Sequence, residues 1–176
     1  MSIGNKNYFE IFSLQENFDL DLDKLTTEYK NLQAQSHPDK YSDAGDAIRL
    51  QALQLSSIIN DAFDTLKSPL KRAAYLLMLN GIDPEENNQN HLSEALLLQQ
   101  IDWRDQLDQA ADEENLNMIE RLKQEAGEEK KSCINEFYDC ANAYNFMDAK
   151  PIYNKLQFIE KMLSEINRIE EKILDY

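Results

Sequence analysis

The feature that most constrains the fold is a proline, Pro38, which separates two stretches of helical periodicity. Apolar residues recur every three or four positions up to Ser36, and the pattern resumes near Ala47. A proline inside a helix removes a backbone hydrogen bond, clashes with the preceding turn and drives the residue before it out of the helical region. The sequence therefore predicts two helices joined by a loop, from which His37 and Asp39 project.

The composition is typical of an all-α protein. Only four glycines and four prolines are spread over 176 residues, whereas good helix formers such as leucine, glutamate and alanine are abundant. A hydrophobic content of 42% is enough for one or two small domains with their own cores. We therefore expect an all-α fold.

Residues 1–80 are predicted to form the first helical domain. A short helix over 7–14 precedes a helix from Asp21, a plausible N-cap, to Ser36. A further helix ends at Ser68-Pro69, and the two long helices should form an antiparallel hairpin with the short one packed across it. The expected core residues are Tyr8, Ile11, Phe12, Leu22, Leu25, Tyr29, Leu32, Ile48, Ala52, Leu55, Ile59, Ala62, Phe63 and Leu66.

A polar segment, residues 81–92, is the best candidate for a linker because it contains both Gly81 and Pro84. Three helices are predicted after it, over residues 93–111, 113–144 and 149–174. Ser93 and Asp148 are plausible N-caps of the first and third of these helices. Their short connections imply an antiparallel three-helix bundle over 93–176.

The charge is unevenly distributed and limits the classes of partner. The formal net charge is −15, and residues 81–176 hold 10 lysines and arginines against 22 aspartates and glutamates. This charge argues against nucleic acid and anionic membrane surfaces as partners, because both require clustered basic side chains. The N-terminal residues 1–6 show neither a secretion signal nor a transit peptide, and no run is apolar enough to span a membrane. A cytoplasmic location is expected.

Cysteine and histidine usage predicts neither a disulfide nor a metal site. Cys133 and Cys140 would lie about 10 Å apart along one helix, too far for a disulfide. The only histidines are His37 and His91, so no metal cluster and no bound cofactor are expected. The two cysteines share a predicted face with Leu122, Ala126, Phe137 and Tyr144, which favours core positions.

The helix over 93–111 has two separate apolar faces. At 100° per residue, a core stripe of Leu96, Trp103, Leu107 and Ala110 lies on one side. Leu97, Leu98 and Ile101 lie roughly 140° away, with Asp105 beside them and Asp102 just beyond Leu98. An exposed aliphatic cluster rimmed by carboxylates is typical of a protein-binding surface. The alternative is that this face packs against the first domain or the partner helices.

The last predicted helix repeats this pattern more faintly. Phe158 lies to one side of its core stripe, near Met162 and Ile169. It would extend the exposed surface if the first and third helices of the bundle are neighbours. The predicted core stripe consists of Ile152, Leu156, Ile159, Leu163, Ile166 and Ile173.

The residues of the loop at Pro38 allow three interpretations. The loop could be an ordinary polar turn between helices. His37 and Asp39 could act as a catalytic pair, although no serine, cysteine or metal cluster stands out as their mate. The loop could dock another protein, since Asp39 offers a carboxylate suited to a bidentate arginine contact and Pro38 lowers the entropy cost of ordering.

Four motifs together resemble the J-domain co-chaperones. They are His37-Pro38-Asp39-Lys40, the segment 7–12 (NYFEIF), the segment 59–66 (INDAFDTL) and the segment 69–75 (PLKRAAY). With the acidic helical tail included, residues 7 to 176 resemble the HscB-type J-proteins of iron–sulfur cluster assembly. Two departures from J-domain patterns are Ser36, where an aromatic is frequent, and a helix over 21–36 without a strongly basic face.

The resemblance implies a J-domain helical hairpin joined to a C-terminal three-helix bundle. It implies that His37, Pro38, Asp39, Lys40 and Lys30 contact an HscA-type ATPase chaperone and stimulate its ATP hydrolysis. It also implies that the bundle binds an IscU-type iron–sulfur scaffold protein through a set of residues matched to the family. These are Leu97, Leu98, Ile101, Asp102, Asp105 and Phe158.

Such a protein is an adaptor rather than an enzyme, and it would act in the bacterial cytosol. Nothing in the sequence requires self-association, so a monomer is expected. Two alternatives stay open. One is a J-protein adaptor for a different client, and the other is a helical hydrolase that uses His37 and Asp39.

Overall fold

The structure, a computed structural model, describes residues 6–36, 45–86 and 94–175. All regular structure in these ranges is helical, which confirms the all-α prediction. The helices are α1 (Tyr8–Ile11), α2 (Leu22–Ser36), α3 (Asp46–Lys67), α4 (Pro69–Leu79), α5 (Glu94–Asp112), α6 (Leu116–Asn142) and α7 (Phe146–Leu174). His37, Pro38, Asp39, Lys40 and the predicted N-cap Ser93 lie outside the described residues.

The chain divides into two compact units, Met1–Leu76 and Leu77–Tyr176, and the division falls within α4. The finer domain limits expected from the sequence, 1–80, 81–92 and 93–176, stay a prediction. No helix in the described part of the chain is both long and apolar enough to cross a membrane.

In the first unit, α1 is short because both of its ends are fixed locally. Asn7 forms a capping box: its side-chain oxygen accepts the Glu10 N–H at 2.9 Å, and its own N–H donates to Glu10 Oε2 at 2.8 Å. Just beyond the helix, Ser13 has a φ of 53°, in the left-handed region. The helix predicted over 7–14 is therefore confined to four residues.

Helices α2 and α3 pack against each other, and α1 packs on α3, which confirms the predicted helical hairpin. Asp21 is the N-cap of α2, because its Oδ1 accepts the backbone N–H groups of Asp23 at 3.0 Å and Lys24 at 2.9 Å. Across the hairpin the ring of Tyr29 stacks on Phe63 with centroids 4.0 Å apart. These contacts fix the helices on either side of the Pro38 loop.

Seven of the fourteen residues predicted for the core of the first unit are buried, and Tyr29, Leu32, Leu55 and Phe63 are half-buried. Leu22 and Ile48 were expected there and are 47% and 50% exposed. Each lies in the first turn of its helix, so no preceding helical turn shields its side chain from water. Phe9 was not predicted and is fully buried, whereas Tyr8 is half-buried and stacks on Tyr75. The buried residues include Phe9, Ile11, Phe12, Phe18, Leu25, Ala52, Ile59, Ala62 and Leu66.

In the second unit, α5, α6 and α7 all contact one another and form the predicted three-helix bundle. Ion pairs tie α6 to α7 along their length, with Lys123 2.6 Å from Glu170 and Lys130 2.8 Å from Glu160. The interior is apolar. From α6 and α7 it includes Ile119, Leu122, Ala126, Cys133, Phe137, Ala149, Tyr153, Leu156, Ile159, Met162 and Ile166.

The first turn of the bundle covers residues 113–115 rather than 112 alone, and the second covers 143–145 rather than 145–148. Each turn contains a left-handed residue. Glu114 and Tyr144 have φ values of 48° and 54°, which end α5 and α6. Tyr144, expected on a buried face, is 84% exposed. The assignment of Asp148 as an N-cap is wrong, since α7 begins at Phe146 and Asp148 lies in its first turn. Asn145 occupies the N-cap position instead.

The buried side of α7 differs from its predicted stripe. Leu156, Ile159 and Ile166 are buried as expected, but Ile152, Leu163 and Ile173 are only half-buried. Met162, expected beside the stripe, lies in the core. The reason is that α7 packs against both α5 and α6, so its buried arc is wider than a stripe facing one partner.

Lys150 fixes the segment that follows α4 onto α7. It is only 9% exposed, and its ammonium group donates to the carbonyl oxygens of Asp83, at 2.7 Å, and Pro84. The same Nζ lies 5.8 Å from the ring centroid of Tyr153. The first residues of the predicted linker are therefore held by the second unit.

Candidate protein-binding surface

One side of α5 exposes a cluster of aliphatic side chains. Leu97, Leu98 and Ile101 are 43%, 60% and 57% exposed, although all three are aliphatic. Leaving such side chains in water forgoes on the order of 1.5–3 kcal/mol of possible burial for each. The opposite side of α5, formed by Leu96, Trp103, Leu107 and Ala110, is buried as the periodicity predicted.

The two sides of α5 are distinct because the helix needs only one of them to pack. α5 contacts both α6 and α7, and its four buried residues supply that contact. The alternative that the second aliphatic face packs against the other bundle helices is therefore wrong. A contiguous apolar surface on an otherwise charged helix is typical of a site that another molecule covers.

Two carboxylates rim this surface. Asp102 and Asp105 are both exposed, and the side-chain amide of Gln106 donates to Asp102 Oδ2 at 2.8 Å. Among the residues that the structure describes, no lysine or arginine forms an ion pair with either of them. Both carboxylates are thus available to a basic group on a partner.

Phe158 of α7 adjoins the buried side of α5. Its ring is half-buried and stacks on Trp103, with centroids 5.9 Å apart and planes inclined by 26°. α5 and α7 are therefore neighbours. Under that arrangement, the sequence predicts that Phe158 extends the exposed surface of α5. The binding role of all six residues stays a prediction. We refer to Leu97, Leu98, Ile101, Asp102, Asp105 and Phe158 as the α5 surface.

The sequence did not anticipate one partner of Trp103, the exposed residue Glu125. The indole N–H of Trp103 donates to Glu125 Oε1 of α6 at 3.0 Å. The two residues are 22 positions apart, and Glu125 belongs to a long, highly charged helix. No periodicity singles it out, because the pairing depends on how α5 and α6 are aligned.

Around the Pro38 loop the structure describes the residues before it, up to Ser36, and those after it, from Gly45. Lys30, predicted to contact the chaperone, is exposed on α2. Ser36, the last residue before the loop, is buried, and its hydroxyl donates to the carbonyl oxygen of Leu32 at 2.9 Å. His37, Pro38, Asp39 and Lys40 are outside the described ranges, so their contribution stays a prediction.

The two thiols are poorly suited to chemistry. Cys133 is buried, as expected, and burial raises its pKa to about 11. Cys140 is half-buried, and burial raises its pKa as well. Since the thiolate is the nucleophile and the metal ligand, the raised pKa values make both cysteines less reactive at neutral pH than an unperturbed thiol. Within the described ranges, no group of three or more histidine, cysteine, aspartate or glutamate residues is arranged to hold a metal ion.

Comparison with known sequences places this chain among proteins of the same length. It is 36% identical to the co-chaperone protein HscB homolog of Aeromonas salmonicida over 96% of this chain and 99% of that protein. It is 34% identical to the homolog of Paraburkholderia phymatum over 98% of this chain and 99% of that protein. Residues 92–167, which include the whole α5 surface, match the family described as the HSCB C-terminal oligomerisation domain.

Solved structures agree with the sequence comparison. The chaperone HscB from Vibrio cholerae superposes with a TM-score of 0.85 at 30% identity, over 96% of this chain and 99% of that one. The human co-chaperone protein HscB superposes with a TM-score of 0.88 over 93% of this chain and 82% of that one. Its identity is 24%, so it supports the fold alone. The predicted J-domain hairpin followed by a three-helix bundle is thereby confirmed.

Proposed function

This chain belongs to the HscB family of co-chaperones, and from that premise we propose that it delivers an IscU-type iron–sulfur scaffold protein to an HscA-type ATPase chaperone. In this proposal the chain also stimulates ATP hydrolysis by the chaperone. The premise rests on relatives that match nearly the full length of the chain. The two partners are inferred from the family resemblance and from the surfaces described above.

The observation that most strongly supports scaffold binding is the exposed aliphatic side of α5. Leu97, Leu98 and Ile101 offer the apolar centre that a protein interface requires. Asp102 and Asp105 offer a charged rim, which favours a partner with basic side chains around an apolar contact. The iron–sulfur cluster in this proposal is cargo held by the scaffold, and this chain requires no cofactor of its own.

The chaperone is proposed to bind the first unit, at the loop between α2 and α3. Asp39 offers a carboxylate to an arginine of the chaperone, Pro38 restricts the loop, and His37 donates or accepts a hydrogen bond. Lys40, which follows Asp39 in the sequence, and the exposed Lys30 of α2 supply positive charge. The packed α2–α3 hairpin gives this loop a fixed base.

The order of events follows from the two surfaces. The bundle binds the scaffold, the J-domain contacts the chaperone, and ATP hydrolysis in the chaperone tightens its hold on the scaffold and eases cluster transfer. The chain is thus a monomeric adaptor of the bacterial cytosol, and the chemistry takes place on its partner. A J-protein that serves a different client through the same surface is the alternative.

The proposal is tested by the steady-state ATPase rate of an HscA-type chaperone with the scaffold present. The full-length native chain should stimulate the rate in a saturable manner. His37→Gln should abolish stimulation, whereas His91→Gln, which alters the only other histidine, should not. Stimulation without any scaffold binding would favour a different client, and no stimulation by the native chain would refute the chaperone role.

A further inference from the structure

Three helices meet at an aromatic pair that joins Phe158 of the α5 surface to the buried side of α5. Trp103 of α5 is 1% exposed, and its ring stacks against Phe158 of α7. The indole N–H points to α6, where Glu125 Oε1 accepts it at 3.0 Å. This hydrogen bond therefore links α6 to the Trp103–Phe158 pair, whose rings come from α5 and α7.

This hydrogen bond matters because the indole is buried. A buried N–H without an acceptor costs about 1–3 kcal/mol, so the indole would turn or shift to recover a partner if Glu125 were absent. Any such movement changes the surface on which Phe158 rests. The orientation of Phe158 therefore depends on a residue that is not part of the α5 surface.

We propose that Glu125 is a positioning residue for scaffold binding, which it supports by holding Trp103 in the orientation that presents Phe158. A half-buried ring held on a fixed base loses less conformational entropy when a partner covers it. This inference rests on the proposed function, because the benefit appears only if Phe158 contacts the scaffold. It concerns the α6 helix, from which no binding residue was predicted.

The chain provides its own probe for this arrangement. Trp103 is the only tryptophan, so intrinsic fluorescence arises from the proposed base of Phe158 and from no other indole. Time-resolved anisotropy of its emission measures how freely the ring moves. That measurement needs no partner and tests the positioning step separately from binding.

The experiment compares the full-length native chain with three variants. E125L removes the acceptor, and E125Q keeps a side-chain oxygen at the same place. E128L is the matched control, since Glu128 is also exposed on α6 and accepts only from Gln124, at 3.1 Å, among the bonds described. For each variant we would measure Trp103 anisotropy in the isolated chain and the affinity for an IscU-type scaffold protein by calorimetry.

E125L should speed the local motion of Trp103 and weaken scaffold binding by about fivefold, because the hydrogen bond that holds the indole is lost. E125Q should restore both values to within about twofold of native, and E128L should leave both unchanged. Unchanged anisotropy or unchanged affinity in E125L would overturn the inference. Equal losses in E125Q and E125L would also overturn it, because they would indicate an effect of charge rather than of the hydrogen bond.

Failure of the proposed function gives a different result. The native chain would then not bind the scaffold at all, while E125L would still speed the motion of Trp103. In that case the positioning of the indole by Glu125 would stand and its role in scaffold binding would be refuted.

Discussion

The two sides of α5 contain the same kinds of side chain and differ completely in environment. Leu107 is 2% exposed and packs in the bundle, whereas Leu98, on the other side, is 60% exposed. Whether a leucine of α5 is buried therefore depends on the side of the helix that it occupies and not on its hydrophobicity alone. The comparison predicts that substitutions on the buried side of α5 alter folding and that substitutions on its exposed side alter binding.

The largest expected effect is on the buried side. Leu107→Ala should lower the free energy of unfolding by about 3 kcal/mol, because it removes buried methyl groups and leaves a cavity. Chemical denaturation followed by circular dichroism measures this loss. Scaffold affinity of the protein that remains folded should stay near the native value. A loss below about 1 kcal/mol would mean that the site collapses or that the side chain is less buried than described.

On the exposed side the expected effect is on binding. Leu98→Ser should weaken scaffold affinity by about 30-fold, or about 2 kcal/mol, as expected for a residue at the centre of an interface. Its unfolding free energy should change by less than about 0.5 kcal/mol. Leu116→Ser is the control, since Leu116 is an exposed leucine at the start of α6 and outside the α5 surface. Equal losses of affinity in both variants would contradict the assignment.

The two cysteines of α6 also differ in burial, since Cys133 is buried and Cys140 is half-buried. Burial disfavours the thiolate of Cys133, whose pKa of about 11 keeps it protonated until the pH approaches that value. At pH 8 a thiol reagent should therefore modify the half-buried Cys140 first, at a rate about tenfold or more above that of Cys133. Mass spectrometry of peptides taken at successive times measures both rates. Faster modification of Cys133 would show that α6 is not packed as described.

The smallest expected effect concerns the acidic rim. Asp102→Asn and Asp105→Asn together should slow association with the scaffold by about two- to threefold at low salt, because charges at a rim act mainly on the association rate. Added salt should remove the difference through screening. Stopped-flow fluorescence of Trp103 at two ionic strengths measures this. A change confined to the dissociation rate would instead indicate that these carboxylates are buried in the complex.

Single-helix features were the most predictable part of the molecule. The division of α5 into a buried and an exposed side follows from helical periodicity alone, and the structure agrees at Leu96, Trp103, Leu98 and Ile101. The HscB family prediction came from short motifs and is confirmed by relatives along the whole chain. The functional roles of individual residues remain predictions, since they depend on partners.

Features that depend on a second element were less predictable. The buried arc of α7 includes Met162 because two helices pack against it, which its own sequence does not reveal. The helix ends at Glu114 and Tyr144 are left-handed without a glycine, so the usual signal for such a turn is absent. The Trp103–Glu125 hydrogen bond depends on the alignment of α5 with α6.

The most direct test of scaffold binding is a methyl NMR titration of the full-length chain. With leucine and isoleucine methyl groups labelled, unlabelled IscU-type scaffold protein would be added stepwise. The methyl signals of Leu97, Leu98 and Ile101 should shift or broaden, while those of Leu107 on the opposite side of α5 should hold their positions. Shifts confined to other regions, or none at a saturating scaffold concentration, would show that the exposed side of α5 is not the binding surface.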